Sequence, residues 1–367
     1  MAMEYRTLPH GGEQISVIGM GMGSIHQASD AEIEDTVRTA MERGVNFFDF
    51  VPSEAKPFEP YARAFKGHRD EVMLQVHLGA DYHTGTYGWT RDLATIKREF
   101  QARLDVLGTD YADFGFIHCM DDVEDFEQAE ASGLIEYWQR LYDEGVIRHL
   151  GFSSHNPVIA RKFLDMGVCD LAMISINPMY DYTDESEYGR GEASERMQLY
   201  RDFERAGVAI SVMKPFAGGQ LLDAATSPFK QALTRTRCIA YELDKPAVVT
   251  VLPGVRNKAD LLDVLSYVDA TPEERDYAVL GTFAPVDARG TCVYCNHCQP
   301  CPAGLNIGLI NKYYDLALAG DAMAAGHYEK LALHAGDCAH CGHCDRRCPF
   351  GVAQSARMNE IAAYFGK

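Results

Sequence analysis

Short β-branched or aromatic runs alternate along the first three quarters of the chain with longer stretches whose apolar residues recur at helical spacing. The runs at 17–22 (VIGMGM), 46–50 (NFFDF), 72–77 (VMLQVH), 113–118 (DFGFIH), 147–153 (IRHLGFS), 171–177 (LAMISIN), 208–213 (VAISVM) and 247–252 (AVVTVL) predict eight strands. Between them lie DAEIEDTVRTAMERG, TRDLATIKREFQARLDVLG, ASGLIEYWQRLYDEG and SERMQLYRDFERAG, and NKADLLDVLSYV follows the last strand. The first four each end on Gly, the residue that most easily takes the left-handed backbone closing a helix. Ahead of them RTLPHGGEQIS reads as a hairpin turning on two glycines. Strictly alternating strands and helices predict an α/β fold, a closed (β/α)8 TIM barrel whose strands are apolar on both faces because helices cover the wall. A doubly wound open sheet is the rival, but Gly19, Gly21 and Gly23 lack the GxGxxG spacing of a dinucleotide turn.

The pattern changes near residue 283. Eight of the eleven cysteines fall between Cys292 and Cys348, whereas Cys119, Cys169 and Cys238 stand singly and read as buried packing residues. The division expected is a barrel over 1–282 and a small, mainly helical domain over 283–367. The first cysteine run is Cys292-x2-Cys295-x2-Cys298-x2-Cys301-Pro302, and the second is Cys338-x2-Cys341-x2-Cys344-x3-Cys348-Pro349. Thiolates spaced this way hold cubane corners, with the fourth ligand of each cluster drawn from the other run. The reading is therefore a ferredoxin-like domain with two 4Fe–4S clusters, one on Cys292, Cys295, Cys298 and Cys348, the other on Cys338, Cys341, Cys344 and Cys301. Paired structural zinc sites are the alternative. Four cysteines per run, the Cys-Pro ending of both and the near-repetition weigh against them, although the first run closes with x2 where x3 is usual.

Charge narrows the partners. With 34 Lys and Arg against 53 Asp and Glu, the net charge is −19, which repels nucleic-acid backbones and anionic lipid surfaces. The N-terminal stretch lacks the basic and apolar regions of a secretory signal, and no apolar run spans a bilayer. The expected location is cytoplasmic, where cysteines serve metal ligation better than disulfides.

The motifs GVNFFDF (44–50), FIH (116–118), GFSSHN (151–156), INPMY (176–180), MKPFAGG (213–219) and LPGVRNKADLL (252–262) carry a family likeness. On them, residues 1–282 resemble an aldo-keto reductase, and the whole chain resembles the subgroup with a C-terminal 4Fe–4S domain. The resemblance implies hydride transfer between NAD(P)H and a carbonyl at the C-terminal ends of the strands. It also implies a tetrad of Asp, Tyr, Lys and His. Asp49 and His118 occupy their places, whereas the Tyr position falls on Glu54, or on Ser53 if the loop carries a gap, and the Lys position on His77. The residues that usually clamp and stack the nicotinamide align with Met173 and Met213. Ser153, Lys214, Gly254, Arg256 and Lys258 stand where cofactor contacts are expected, which leaves NADP(H) or NAD(H) as the candidate nucleotide.

Two imidazoles and two carboxylates can move protons near neutral pH. The expectation is an Asp49–His77 dyad in place of the Asp–Lys pair, with His118 or Glu54 as proton donor. The function expected is an iron–sulfur oxidoreductase acting on a small organic carbonyl or related substrate, with a redox protein as a candidate partner. A lyase or isomerase using the same His and carboxylate groups is the alternative, and a non-catalytic electron carrier is a third reading. His26, His83 and His155, with Tyr82, Tyr87 and Trp89, are further candidates for lining a pocket.

Overall fold

The computed structural model describes residues 2–182, 189–282, 290, 292, 298–318, 324–348 and 350–367. The chain divides into two compact units, one made of 1–226 with 232–275, the other of 227–231 with 276–367.

The first unit is the barrel. Its strands are β1 (Met20–Gly21), β2 (Phe47–Asp49), β3 (Met73–Leu78), β4 (Ala112–Ile117), β5 (Ile147–Ser154), β6 (Leu171–Ser175), β7 (Ala209–Met213) and β8 (Val248–Val251), each within or beside a predicted run. They hydrogen-bond in chain order from β1 to β8, and all the pairings are parallel. Parallel bridges Ile18↔Val251 and Gly21↔Gly254 join the first strand region to the last and close the wall. The terminal glycines of the four helical patterns, Gly44, Gly108, Gly145 and Gly207, all take positive φ. The ASGLIEYWQRLYDEG pattern forms the helix Leu134–Asp143, and a further helix not predicted, Val123–Ala131, precedes it.

The N-terminal hairpin pairs Tyr5–Thr7 with Gln14–Ser16 in antiparallel register. Its Leu8 and Ile15 are fully buried in one cluster with Phe47, Phe114, Leu171 and Ala209, residues near the N-terminal ends of their strands. The hairpin therefore plugs that end of the barrel. Above this apolar layer sits a polar one, in which buried Ser211 Oγ donates to Gln75 Oε1 at 3.2 Å. The apolar floor keeps water out, which favours polar side chains above it that bond to one another.

The second unit is mainly helical, with Ile307–Leu318, Ala324–Glu329, His343–Arg347 and Gln354–Phe365 as its helices. Leu305, Ile310, Tyr328, Met358 and Ile361 form its core together with Cys298 and Cys344. Tyr328 stacks on Phe365 at 4.0 Å between ring centroids. Among the described residues no helix is long and apolar enough to cross a membrane.

Candidate functional site

Every barrel strand delivers a residue to one cleft of about 830 Å³ at the C-terminal ends of the strands. Gly21, Asp49, His77 and His118 come from the first half of the barrel, and Ser153, Met173, Met213 and Leu252 from the second. This is the face on which barrels of this type build active sites.

Its floor is a chain of hydrogen bonds. Asp49 ends β2, His77 lies near the end of β3, and His118 follows β4; all three are at least nine-tenths buried. His77 Nε2 lies 2.9 Å from Asp49 Oδ1, and His77 Nδ1 lies 2.9 Å from His118 Nδ1. Gln75 Nε2 donates to Asp49 Oδ1 at 2.8 Å, so the carboxylate collects two donors. The phenol of Tyr87 closes the series, 2.7 Å from His118 Nε2.

The carboxylate fixes the tautomers along this chain. A carboxylate only accepts, so His77 carries its proton on Nε2 when neutral and leaves Nδ1 bare. His118 must then donate from Nδ1, which leaves Nε2 to accept the Tyr87 hydroxyl. Burial, with His77, Arg91 and His155 close by, holds the His118 pKa well below the ordinary histidine value. His118 is accordingly neutral at rest.

Tyr87 reaches the cleft because its loop is pinned. Ala80–Asp81 and Gly88–Trp89 pair antiparallel, and Tyr87 N donates to Ser53 O at 3.1 Å. Glu54 and Thr86 form an antiparallel bridge across the two loops. Arg91, paired with Asp125 through two bonds of 2.8 and 2.7 Å, also donates to Cys119 O at 3.0 Å.

Not every predicted residue arrives at the cleft. Glu54 is exposed, and its side chain falls outside the described lining; the backbone bridge to Thr86 fixes its loop instead. Ser153, Lys214, Gly254 and Arg256 all line the cleft, but Lys258 does not, its ammonium lying 3.1 Å from Asp35. Arg256 reaches the rim with its guanidinium forked onto Asp260 at 2.6 and 3.1 Å. Met173 and Met213 line the interior as expected from their positions. Of the loop histidines only His155 lines the cleft, whereas His83 pairs with Asp81 at 2.7 Å. Of the loop aromatics only Tyr87 does so; Tyr82 is buried with its hydroxyl on Pro52 O, and Trp89 is exposed under Arg91.

Cys169 and Cys238 are buried as expected, but Cys119 is a cleft residue with φ +45°. Its thiol pKa is pushed up to about 11 by burial and by Asp121. Asp121 bonds His155 Nδ1 at 2.9 Å and the His155 amide at 2.6 Å, tying the turn after β4 to that after β5. Arg235 and the pair Gly218 and Gly219 also line the cleft, and the sequence reading missed them.

In the second unit, Cys298, Cys301, Cys338, Cys341 and Cys344 line one small recess. Val352 N donates to Cys348 Sγ at 3.4 Å, and Gln354 Nε2 to Cys292 Sγ at 3.5 Å. Cys295 lies outside the described residues.

The Aldo/keto reductase family profile matches residues 17–237, more than half of the chain. The chain belongs to the aldo/keto reductase family. Membership places it among oxidoreductases and accounts for the barrel. Aldo-keto reductase YhdN of Bacillus subtilis is 29% identical over 161 residues, which span 41% of this chain and 47% of that protein. The chain thus aligns with about half the length of that relative. Aldo-keto reductase AKR11C1 from Bacillus halodurans, in its holo form, superposes with a TM-score of 0.62 at 22% identity, over 74% of this chain and 94% of that one. An aldo-keto reductase from Klebsiella pneumoniae in complex with NADPH superposes with a TM-score of 0.55 at 17% identity, over 75% and 93% of the two chains. At these identities the structural neighbours establish the fold.

Proposed function

We propose that this member of the family is an iron–sulfur oxidoreductase that interconverts a small organic carbonyl and its alcohol, using Asp49, His77 and His118 as an altered proton-transfer set. The observation that carries the reading is the buried, hydrogen-bonded series Asp49–His77–His118, set in a cleft built from all eight strand ends. Asp49 holds His77 in one tautomer, and His77 in turn orients His118, the division of labour seen wherever a carboxylate backs an imidazole. On this reading the series takes over proton relay from the Tyr and Lys that the family positions lack.

NADP(H) is the nucleotide the cleft suits, the ligand named for the Klebsiella pneumoniae neighbour. Cβ atoms added at Gly218 and Gly219 would meet no protein atom within 4 Å, so this loop offers bare backbone to the cleft they line. Arg256 would hold a phosphate at the rim, and Met173 and Met213 would contact the nicotinamide in place of the usual amide clamp and aromatic ring. When bound, the nucleotide supplies or takes the hydride.

Two 4Fe–4S clusters complete the reading. Cys301, Cys338, Cys341 and Cys344, the proposed ligands of one cluster, share a recess, and Cys292 and Cys348 of the other set each accept a hydrogen bond from the 352–354 segment. N–H donors to sulfur of this kind tune cluster potential. A non-redox lyase or isomerase is not favoured by family membership.

The test is anaerobic purification, an iron count, and titration with NADPH and NADH while following nucleotide fluorescence and visible absorbance. About eight irons per chain and saturable NADPH binding are expected. Zinc in place of iron removes the clusters, and absence of nucleotide binding removes the reductase.

A further inference from the structure

We infer that Tyr87, carried on the hairpin after β3, is the catalytic phenol that exchanges a proton with the substrate oxygen. The inference rests on the reductase reading above and supplies the group that reading leaves unnamed.

Geometry assigns the role among the members of the hydrogen-bonded series. His118 has both ring nitrogens engaged, Nδ1 with His77 and Nε2 with Tyr87, so a substrate oxygen in the cleft meets the phenol before the imidazole. Asp49 and His77 also border the cleft, but they are more than nine-tenths buried and are engaged with each other in the same series. Glu54 points elsewhere, and Cys119 keeps its proton well above neutral pH. Tyr87 is 41% exposed and lines the cleft, by far the most exposed member of the series and the one at its open end. The strand 2 loop no longer carries a tyrosine at the family position, and the strand 3 hairpin brings one to His118 from another direction.

The chemistry balances in both directions. In alcohol oxidation Tyr87 passes its hydroxyl proton to His118 Nε2, and the phenolate takes the substrate O–H proton. The carbinol C–H electron pair leaves with its hydrogen to NADP⁺, and the C–O bond becomes a carbonyl. In reduction the carbonyl carbon receives hydride from NADPH and its oxygen takes the Tyr87 proton, which His118 imidazolium then restores. The resting chain, with each donor directed from Tyr87 toward Asp49, is set for oxidation. Reduction needs one extra proton on the chain, so its rate rises as pH falls through the protonation of His118. The groups facing that imidazole are His77, Tyr87, Arg91 and His155.

The experiment compares wild type with Tyr87→Phe, using 4-nitrobenzaldehyde as probe substrate and NADPH as reductant. The variant should lose roughly 100-fold or more in kcat. Its KM and NADPH affinity should stay within about twofold, because a phenol used only in the transition state does not contribute to ground-state binding. Its pH dependence of reduction should flatten. Histidine nitrogen NMR on the unloaded chain should show the His118 Nε2 signal, and no other histidine, moving in Tyr87→Phe. Wild-type turnover with a variant kcat within threefold, or unmoved His118 signals, overturns the assignment of Tyr87 alone. A wild type that neither binds NADPH nor reduces the probe overturns the reductase reading and this inference with it.

Discussion

The two units of this chain are specified in opposite ways. The barrel is written in periodicity: eight apolar runs, helices closed by glycines, and a hairpin whose Leu8 and Ile15 seal one end. Its stability comes from burial spread over many aliphatic and aromatic side chains, and no single residue specifies it. The C-terminal unit has short helices, a small core, and cysteines inside that core, Cys298 and Cys344 among them. Thiols there do the packing that Leu and Ile do in the barrel. On the proposed cluster reading such a unit would be stapled by what its cysteines bind, because ligation energy is folding energy.

The largest effect should therefore come from removing the proposed clusters. Chelation under reducing conditions is expected to abolish hydrogen-exchange protection across helices Ile307–Leu318 and Gln354–Phe365 while leaving β3 to β6 protected. The single substitution Cys341→Ser should remove about half of the iron and loosen the same helices. Equal loss of protection in barrel and tail would erase the contrast between the two units.

Within the barrel, the corresponding dependence on single residues is confined to the site. Asp49→Asn keeps shape and burial but exchanges a pure acceptor for a group that can present a donor to His77. The tautomer of His77 then flips, and the bare nitrogen facing His118 is lost. Turnover should fall roughly 100- to 10,000-fold with the fold intact, read as kcat beside an unchanged circular dichroism spectrum. Activity within twofold of wild type would disconnect the carboxylate from the chemistry.

How far the sequence carried the argument follows the same line. Asp49, His77 and His118 were legible because each sits at the end of a strand that apolar patterning locates, and strand ends converge in a barrel. Tyr87 was visible only as an aromatic in a loop, since no periodicity says where a hairpin tip points. Its place depends on the bridge of Glu54 to Thr86 and the bond from Tyr87 N to Ser53 O, backbone contacts that leave no composition signal. Glu54, aligned by sequence with the family tyrosine, is itself a partner in that bridge and is exposed. Lys258 was expected at the cofactor because it neighbours Arg256, yet a helix starts at Lys258 and directs its side chain to Asp35. In the tail, spacing put Cys298 and Cys301 in different sets, yet both line one recess with Cys338, Cys341 and Cys344, and Cys295 lies outside the described residues.

Two histidines of the barrel titrate in opposite senses, which gives a smaller but directional test. Burial lowers the His118 pKa, so the unfolded chain binds that proton first and the contribution of His118 to stability is lost as pH falls below the ordinary histidine range. At the plugged end, burial works against charge on His149, but hydrogen bonds to Asp170 at 2.8 Å and Glu13 at 3.0 Å outweigh it and raise its pKa. Its contribution is complete below the ordinary value and is lost as pH rises through the raised one. His149→Gln should therefore lower Tm by roughly 2–4 °C at mildly acidic pH and by less at alkaline pH. His118→Gln should relieve the acid loss. The same slope in both variants would show that neither histidine is in the environment described.

The smallest effect should fall on the rim. Arg256 is exposed and already forked onto Asp260, an ion pair that raises its own pKa and lowers that of Asp260. A nucleotide phosphate would compete with that carboxylate rather than meet a waiting cation, and exposed pairs of this type contribute little. Arg256→Ala should accordingly weaken NADPH binding by no more than about fivefold, leave NADH binding nearly unchanged, and diminish the salt dependence of NADPH affinity. Asp260→Asn should act the other way, freeing the guanidinium and tightening NADPH. The two variants moving NADPH affinity in the same direction would mean that the Arg256–Asp260 pair shapes the loop after β8 and does not read the phosphate. On the proposed reading, function would depend steeply on the buried members of the site, and the rim would only adjust which nucleotide is preferred.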